Sequence, residues 1–298
     1  MVNLSLLSGC VPENGRTTVV IPLLKKPGLD LVYKNFHPVS NLPFISTVVE
    51  KAALQQLLVH CEKNAPLPKF QSCFRKYHST ETALLKVQND ILMSMDNKEV
   101  TLLLLLDLSA AFDTIEHSIL LNILQQDFGV VGTASNWFDS FLSGRKQRIL
   151  VSDKTSDDFN LNCGVPQGSC MGPILLTLYV SLLFNIISQH LPPVHGYADN
   201  TQIYLSFRPC SIHLEINAVS VTEKCIADVR SWFNGNCLMI TDAKTDFLII
   251  GTRQQLEKTS IESIIIGDTV INPLESVPEP WVLVRCSYAN ECSHRQDL

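Results

Sequence analysis

Charge is scarce in this 298-residue chain. Only 17% of residues are Asp, Glu, Lys or Arg, and they sum to −6 with histidine neutral. Bulk charge therefore does not mark a polyanion binder, and any nucleic-acid contact must come from local basic clusters. Lys25-Lys26, Lys69 with Arg75-Lys76, and Arg145-Lys146 with Arg148 are such clusters, although each alone reads as well as a solvated face. Paired cysteines are missing too. Ten cysteines occur without a C-x-x-C pair, and the Cys and His positions form no metal-site spacing. Long apolar runs are also lacking. The longest, Ile174 to Ile187, is 14 residues and contains Asn185, short of the ~20 a spanning helix needs. The N-terminus has neither the basic start nor the apolar core of a secretory signal. These absences predict no membrane span, no secretion and no disulfide partner, with free thiols in a reducing intracellular compartment, nuclear or cytoplasmic. Finally there is no P-loop, no G-x-S-x-G elbow, no internal repeat and no low-complexity segment.

What the chain does have is apolar residue, 46% of it, enough for a large core in one or two domains. Thr17 to Leu24 is β-branched and apolar and predicts a strand, closed by Lys25-Lys26-Pro27-Gly28. Residues 35–43, with Pro38 and Pro43, read as a loop. Residues 45–62 carry apolar side chains at helical spacing, with Thr47 and Glu50 offering a capping box. Ala65 to Pro68 breaks the chain, and Ser79 is placed to cap a helix reaching about Asn97. Leu102 to Leu106, five leucines without a polar member, form an unbroken apolar run, the mark of a strand buried on both faces. Helices are expected at 118–127 and 133–142, short strands at 148–152 and 159–163, and one buried helix at 173–190. A hairpin at Tyr197 to Asn200, a strand at 201–207, a helix at 212–232 and a strand at 244–251 complete the pattern.

Chemistry concentrates in three stretches. In V-T-L-L-L-L-L-D-L-S-A-A-F-D, Asp107 stands where the apolar strand leaves the core. A carboxylate there suits a hard metal ion, although Asp after a strand is most often a turn former or helix cap. Gly164 to Ser169 reads G-V-P-Q-G-S, and Tyr197 to Gln202 reads Y-A-D-N-T-Q. In this order and spacing the three resemble the palm of a reverse transcriptase, most nearly that of LINE-type (non-LTR) retrotransposons. Later W-F-N-G-N and K-T-D-F-L runs are similar to the same family, and the resemblance covers roughly residues 5 to 276.

That resemblance implies an α+β fold: a right-hand polymerase with fingers at 1–98, an antiparallel palm sheet backed by helices at 99–276, and a divergent, disordered tail at 277–298. The thumb and the endonuclease of the family are expected to be missing. It implies an RNA-directed DNA polymerase whose partners are an RNA template, a DNA primer and dNTPs. Its cofactors are two Mg²⁺ ions, replaceable by Mn²⁺, about 3.5–4 Å apart. Asp107 and Asp199 become the metal ligands. Asn200 stands where the family has a second Asp and offers only a neutral carbonyl oxygen, a weaker ligand. Lys244 matches a lysine that protonates the leaving pyrophosphate. Phe112 takes the place of the aromatic gate against a ribose 2′-hydroxyl, with ordinary core packing as the alternative. Ala110 and Ala111 offer backbone N–H groups to phosphate. Gln167 and Gly168 match the loop under the templating base pair, or serve only as a helix-entry turn. Arg75 and Lys76 are candidates for the triphosphate, and Asp113 reads as structural or near it. Two further departures are His37 for an Arg, which loses a bidentate phosphate grip, and Cys73 for a Gly, costly if that position needs positive φ. The competing reading is an inactive retroelement remnant that at most binds nucleic acid.

Overall fold

The computed structural model describes residues 1–64, 67–106, 108–109, 111–190, 194–197, 200–240 and 245–274, with backbone alone at 14, 34, 37, 109, 194, 197, 200, 239 and 240. The expected tail at 277–298 lies outside the described residues. The chain forms two compact units, Met1–Leu67 with Ala110–Tyr179, and Pro68–Ser109 with Val180–Leu298. Each unit takes sequence from both sides of residue 98.

The first unit opens with a helix that no sequence pattern announced, α1 (Val2–Ser8), ended by Gly9 in the left-handed region. Strands β1 (Thr17–Leu24) and β2 (Phe36–Asn41) pair antiparallel. Strand β2 corrects the expected loop at 35–43. Pro38 faces Pro22 across the ladder, β2 is the sheet edge, and β1 pairs with its other neighbour only as far as Val20. The ladder therefore asks neither proline for an N–H. Helix α2 (Phe44–Asn64) buries Ser46, Val49, Glu50, Ala53, Leu57 and Cys61 along one stripe. The expected Thr47–Glu50 capping box does not form. The helix starts before Thr47, whose hydroxyl donates back to the Pro43 carbonyl, and Glu50 turns into the core.

The second unit begins with α3 (Thr80–Asp96). Ser79 caps it as expected, exchanging side-chain and backbone hydrogen bonds with Thr82. Strand β3 (Val100–Leu106) and the two-residue β4 (Leu108–Ser109) follow. The chain then returns to the first unit as α4 (Ala111–Thr114), α5 (His117–Gln126), α6 (Thr133–Leu142), β5 (Arg145–Val151), β6 (Lys154–Thr155), β7 (Phe159–Leu161) and α7 (Gly172–Tyr179). Strand β5 runs parallel to β1, and the sheet orders β2-β1-β5-β6 with β7 also on β5. The single helix expected at 173–190 is in fact two. After α7 the ladder tightens into a 3₁₀ turn at Val180–Leu182, where the chain passes from one unit to the other, and resumes as α8 (Leu183–His190). The whole Gly172–His190 stretch is long and apolar enough to cross a membrane, yet 67% of it is buried inside the protein, as in a core helix.

Strands β8 (Val194–Tyr197) and β9 (Asn200–Phe207), helix α9 (Ile212–Gly235), β10 (Met239–Ile240) and β11 (Asp246–Ile250) build the rest of the second unit. A one-turn α10 (Arg253–Leu256) and the hairpin β12 (Ile264–Ile266)–β13 (Thr269–Ile271) close it. Its main sheet is antiparallel throughout, in the order β11-β3-β9-β8. The leucine run of β3 is explained by its central place. Val100, Leu102 and Leu104 pack with Ala218 and Ile226 of α9 and with Phe247, whereas Leu103 packs with Val87 and Ile91 of α3. Alternate side chains fill two cores, each fully buried leucine stabilising by about 2 kcal/mol.

Candidate functional site

In the first unit the G-V-P-Q-G-S loop is fixed by close backbone approach. Gly164 has φ +78, and a Cβ there would lie 2.8 Å from the carbonyl oxygens of Phe112 and Asp113. Its N–H donates to the Ile115 carbonyl (2.7 Å), and the Val165 N–H donates to Phe112 (2.7 Å). Gly168 has φ +119, and a Cβ there would sit 2.6 Å from the Ser40 carbonyl oxygen. Only glycine meets both demands. The Ser40 N–H donates to the Gln167 carbonyl (2.8 Å), while Gln167 Nε2 donates to both carboxylate oxygens of Asp113 (3.1 and 3.3 Å). That bond sets the amide's orientation, and it leaves Gln167 Oε1 buried without a hydrogen bond among the described residues.

Phe112 is half-buried on α4, its ring edge 3.6 Å from where a Gly172 Cβ would be. The ring thus has a packing partner at one edge, and Ala111 beside it is buried at the start of α4. The structure brings Ala111, Phe112, Gln167 and Gly168 together, and adds Asp113, Ser40, Glu50 and Ser169 as the groups that hold the loop. Of these, Ser40, Glu50 and Ser169 were not assigned to the site from the sequence. For Glu50 a signal existed: it is a charged residue on the buried stripe of α2.

In the second unit the geometry centres on one end of the antiparallel sheet. Leu106 pairs with Thr201, the β8–β9 hairpin closes with Tyr197 opposite Asn200, and Asp246 opens β11 opposite Leu105. Gly196 has no room for a side chain, because a Cβ would run into the Phe184 ring. Its backbone is clasped by the loop before α3: its N–H donates to Phe70 (2.9 Å) and its carbonyl accepts from Ser72 (3.0 Å). Beside it, His195 is 6% exposed, with Nε2 3.0 Å from the Ser72 hydroxyl. Burial pushes its pKa down to about 4, with Lys86 and His78 adding to the effect and Asp90 opposing it. The Tyr204 hydroxyl donates to Asp90 (2.6 Å), which also pairs with Lys86; burial first, then Asp90, push the Tyr204 phenol up.

Arg75 and Lys76 belong to this second unit. Arg75 Nη1 donates to the Lys69 carbonyl (2.7 Å), and Lys76 is exposed over the Tyr77 ring. The strain expected at Cys73 lies elsewhere. Cys73 is a buried thiol without positive φ, and the left-handed residues in this segment are Phe74 (φ 57) and Tyr77 (φ 63). Asp107, Ala110, Asp199 and Lys244 lie outside the described residues, as do the side chains of Asn200 and His37. Among the described residues no group of three or more His, Cys, Asp or Glu is arranged to hold a metal.

Residues 24–267 match the reverse transcriptase (RNA-dependent DNA polymerase) family. The chain is 32% identical over 166 residues to the probable RNA-directed DNA polymerase from transposon X-element of Drosophila melanogaster, covering 54% of this chain and 18% of that protein. It is 30% identical over 184 residues to the RNA-directed DNA polymerase from mobile element jockey of Drosophila funebris, covering 60% and 19%. It therefore spans about a fifth of the length of these relatives. Among solved structures, apo telomerase from Candida tropicalis truncated from its C-terminal domain superposes with a TM-score of 0.57 at 13% identity, over 89% of this chain and 55% of that one. Telomerase from Candida albicans in complex with a fragment of telomeric RNA gives 0.54 at 11% identity, over 88% and 46%. These two likenesses are of fold. With most of its length matched and its motifs in family order, the chain belongs to the reverse transcriptase family, as a domain of the LINE type.

Proposed function

We propose that the chain forms the fingers and palm of an RNA-directed DNA polymerase, adding nucleotides from dNTPs to a DNA primer on an RNA template. Residues 1–98 supply the fingers and 99–276 the palm, with β5 to β7 returning to the β1–β2 sheet. The observation that carries this reading is the register of the second sheet. The end of β3, the β8–β9 turn and the start of β11 all fall at one sheet end. Asp107 is the next residue after Leu106, Asp199 the one before Asn200, and Lys244 lies two before Asp246.

The donor set fits Mg²⁺, or Mn²⁺ in its place: Asp107 and Asp199 offer hard oxygen ligands and leave room for water, and Asn200 adds a neutral carbonyl. The metal, when bound, stabilises the attacking and leaving oxygens of an in-line phosphoryl displacement. The chain's own residues do the rest. Gln167 and Gly168 present a rigid loop to the templating base pair, and Phe112 excludes the ribose 2′-hydroxyl. Ala110 and Ala111 offer N–H groups to phosphate, and Arg75 and Lys76 neutralise triphosphate charge. Lys244 gives its ammonium proton to the departing pyrophosphate.

One observation favours the second reading, an inactive remnant that binds nucleic acid: Asn200 supplies no charge where the family has a second carboxylate. Primer extension on an RNA template with Mg²⁺ separates the two, comparing the chain as it stands with Asn200→Asp and Asp107→Ala. Extension abolished by Asp107→Ala establishes the polymerase. Extension by Asn200→Asp alone establishes a site short of one charge, and extension by none reduces the claim to ancestry.

A further inference from the structure

We propose that Glu50 is a positioning residue for nucleotide selection: from the interior of α2 it anchors the 164–169 loop through Ser169 and so keeps Gln167 in its bonded setting. What the loop selects rests on the polymerase reading; how the loop is held does not.

Glu50 occupies a stripe position whose neighbours one and two turns on are Ala53 and Leu57, and it is 1% exposed. An apolar residue there would serve the core better, since a buried carboxylate is stabilised only by groups that hydrogen-bond or oppose its charge. Three donors converge on it. The Ser169 hydroxyl donates to Oε2 at 2.6 Å, the Ser46 hydroxyl reaches Oε1 at 3.3 Å, and Cys170 Sγ lies 3.8 Å from Oε2. Arg145, also 1% exposed, supplies the opposing charge from β5. Its Nη1 is committed to the Phe141 carbonyl (2.9 Å), and Nε and Nη2 have no hydrogen-bond partner among the described residues. Burial raises the Glu50 pKa, and Ser169 is the strongest of the groups that hold it down, ahead of Arg145 and Ser46.

Ser169 is the link to the loop. Its oxygen also accepts the Met171 N–H (3.1 Å), so its single proton is free to serve Glu50. The hydroxyl thereby ties α2 to the turn that enters α7. Two residues earlier, Gln167 is held from the other side by Ser40 and Asp113, and the intervening Gly168 has no room for a Cβ against the Ser40 carbonyl. The loop is thus pinned at Asp113 on α4, Ser40 on β2 and Glu50 on α2. Ser46 gives the anchor an internal tie, since its hydroxyl oxygen lies 3.3 Å from both Glu50 Oε1 and the Gly15 carbonyl oxygen.

The test compares the chain with Glu50→Gln, with the milder Ser169→Ala, and with the double variant. Amide hydrogen exchange is read across 164–172, and dNTP affinity is read as tightening of a complex with a dideoxy-terminated primer on an RNA template with Mg²⁺. Either single substitution is expected to speed exchange at Gly168 to Gly172 about 10-fold, equivalent to about 1.4 kcal/mol, as for a hydrogen bond to a charged group. The double variant should go no faster than the faster single one, because both act on the same bond, which Glu50→Gln reduces to a neutral contact and Ser169→Ala removes. The Kd for the complementary dNTP should rise about 10-fold while that for primer–template stays within about 2-fold. Unchanged exchange in the loop overturns the proposal. So does acceleration spread through α2, β1 and β2 with a lowered Tm, which is a general core role, and so does a loosened loop with unaltered dNTP affinity. A parent chain that binds primer–template without any response to dNTP overturns the polymerase reading and the selection half of this one, and the exchange data then decide the anchoring half alone.

Discussion

The two sheets of this molecule are stabilised by opposite means. In the second unit, β3 is buried on both faces by its own leucines, and alternate side chains reach two separate apolar clusters. In the first unit, the β1–β5 ladder and α2 enclose Glu50, Arg145 and Thr18, with the Thr18 hydroxyl and two Arg145 nitrogens lacking hydrogen bonds among the described residues. Apolar packing tolerates several arrangements of similar volume, whereas a buried polar network is satisfied by very few. The first sheet thus carries a loop held by specific polar contacts, and the second aligns the ends of β3, β8 and β9 through the register of an apolar strand.

The strongest challenge to that contrast is a cavity in the leucine strand. Leu103→Ala should cost about 3–5 kcal/mol, read as a fall in the urea midpoint. A loss below about 1.5 kcal/mol would mean that the second sheet is not held by its centre.

Next is pH, where the two regions should respond with opposite sign. His195 is neutral in the fold with its pKa depressed to about 4, so the unfolded chain binds the extra proton between about 6.5 and 4. Stability in the second unit should therefore fall as pH drops through that window, by up to about 3 kcal/mol. His195→Asn should flatten the dependence in urea melts at pH 5 and 7. Glu50 behaves inversely: its pKa is raised in the fold, so its contribution is present at low pH and is lost as pH rises through the folded value. Glu50→Gln should remove that loss, seen as first-unit protection, corrected for the intrinsic exchange rate, that no longer falls as pH rises.

Smaller effects sharpen the comparison. Gly168→Ala meets positive φ and the Ser40 carbonyl together, and should cost about 2 kcal/mol with exchange rising in β2 as well as in the loop. Ser79→Ala should cost about 1 kcal/mol, confined to fraying of the first turn of α3.

The same contrast explains what the sequence made legible. The Val100–Leu106 strand, the Ser79 cap, the Thr17–Leu24 strand and the Thr133–Leu142 helix are each decided by residues within the element, and each appeared with the expected bounds at one end or both. Strand β2 did not, because its proline, Pro38, is acceptable only at a sheet edge, which is a fact about its neighbours. The Thr47–Glu50 pattern misled for a related reason: a carboxylate three residues after a threonine also fits a helix whose Glu reaches Ser169, 119 residues away. Of the candidate site, Gln167 and Gly168 were found through the motif, and their anchors were not, since no local pattern links Ser40 or Glu50 to that loop.

The parallel pairing of β1 with β5 has a consequence for how the protein is made. Residues 17–20 have their β5 partners at 146–149, so β1 and the β2 hairpin leave the ribosome long before β5 exists. At typical elongation rates the interval is on the order of ten seconds, during which the open edge of β1, rich in valine and threonine, is bare. Until β5 arrives, an unpaired edge of that composition is a template on which another strand can pair.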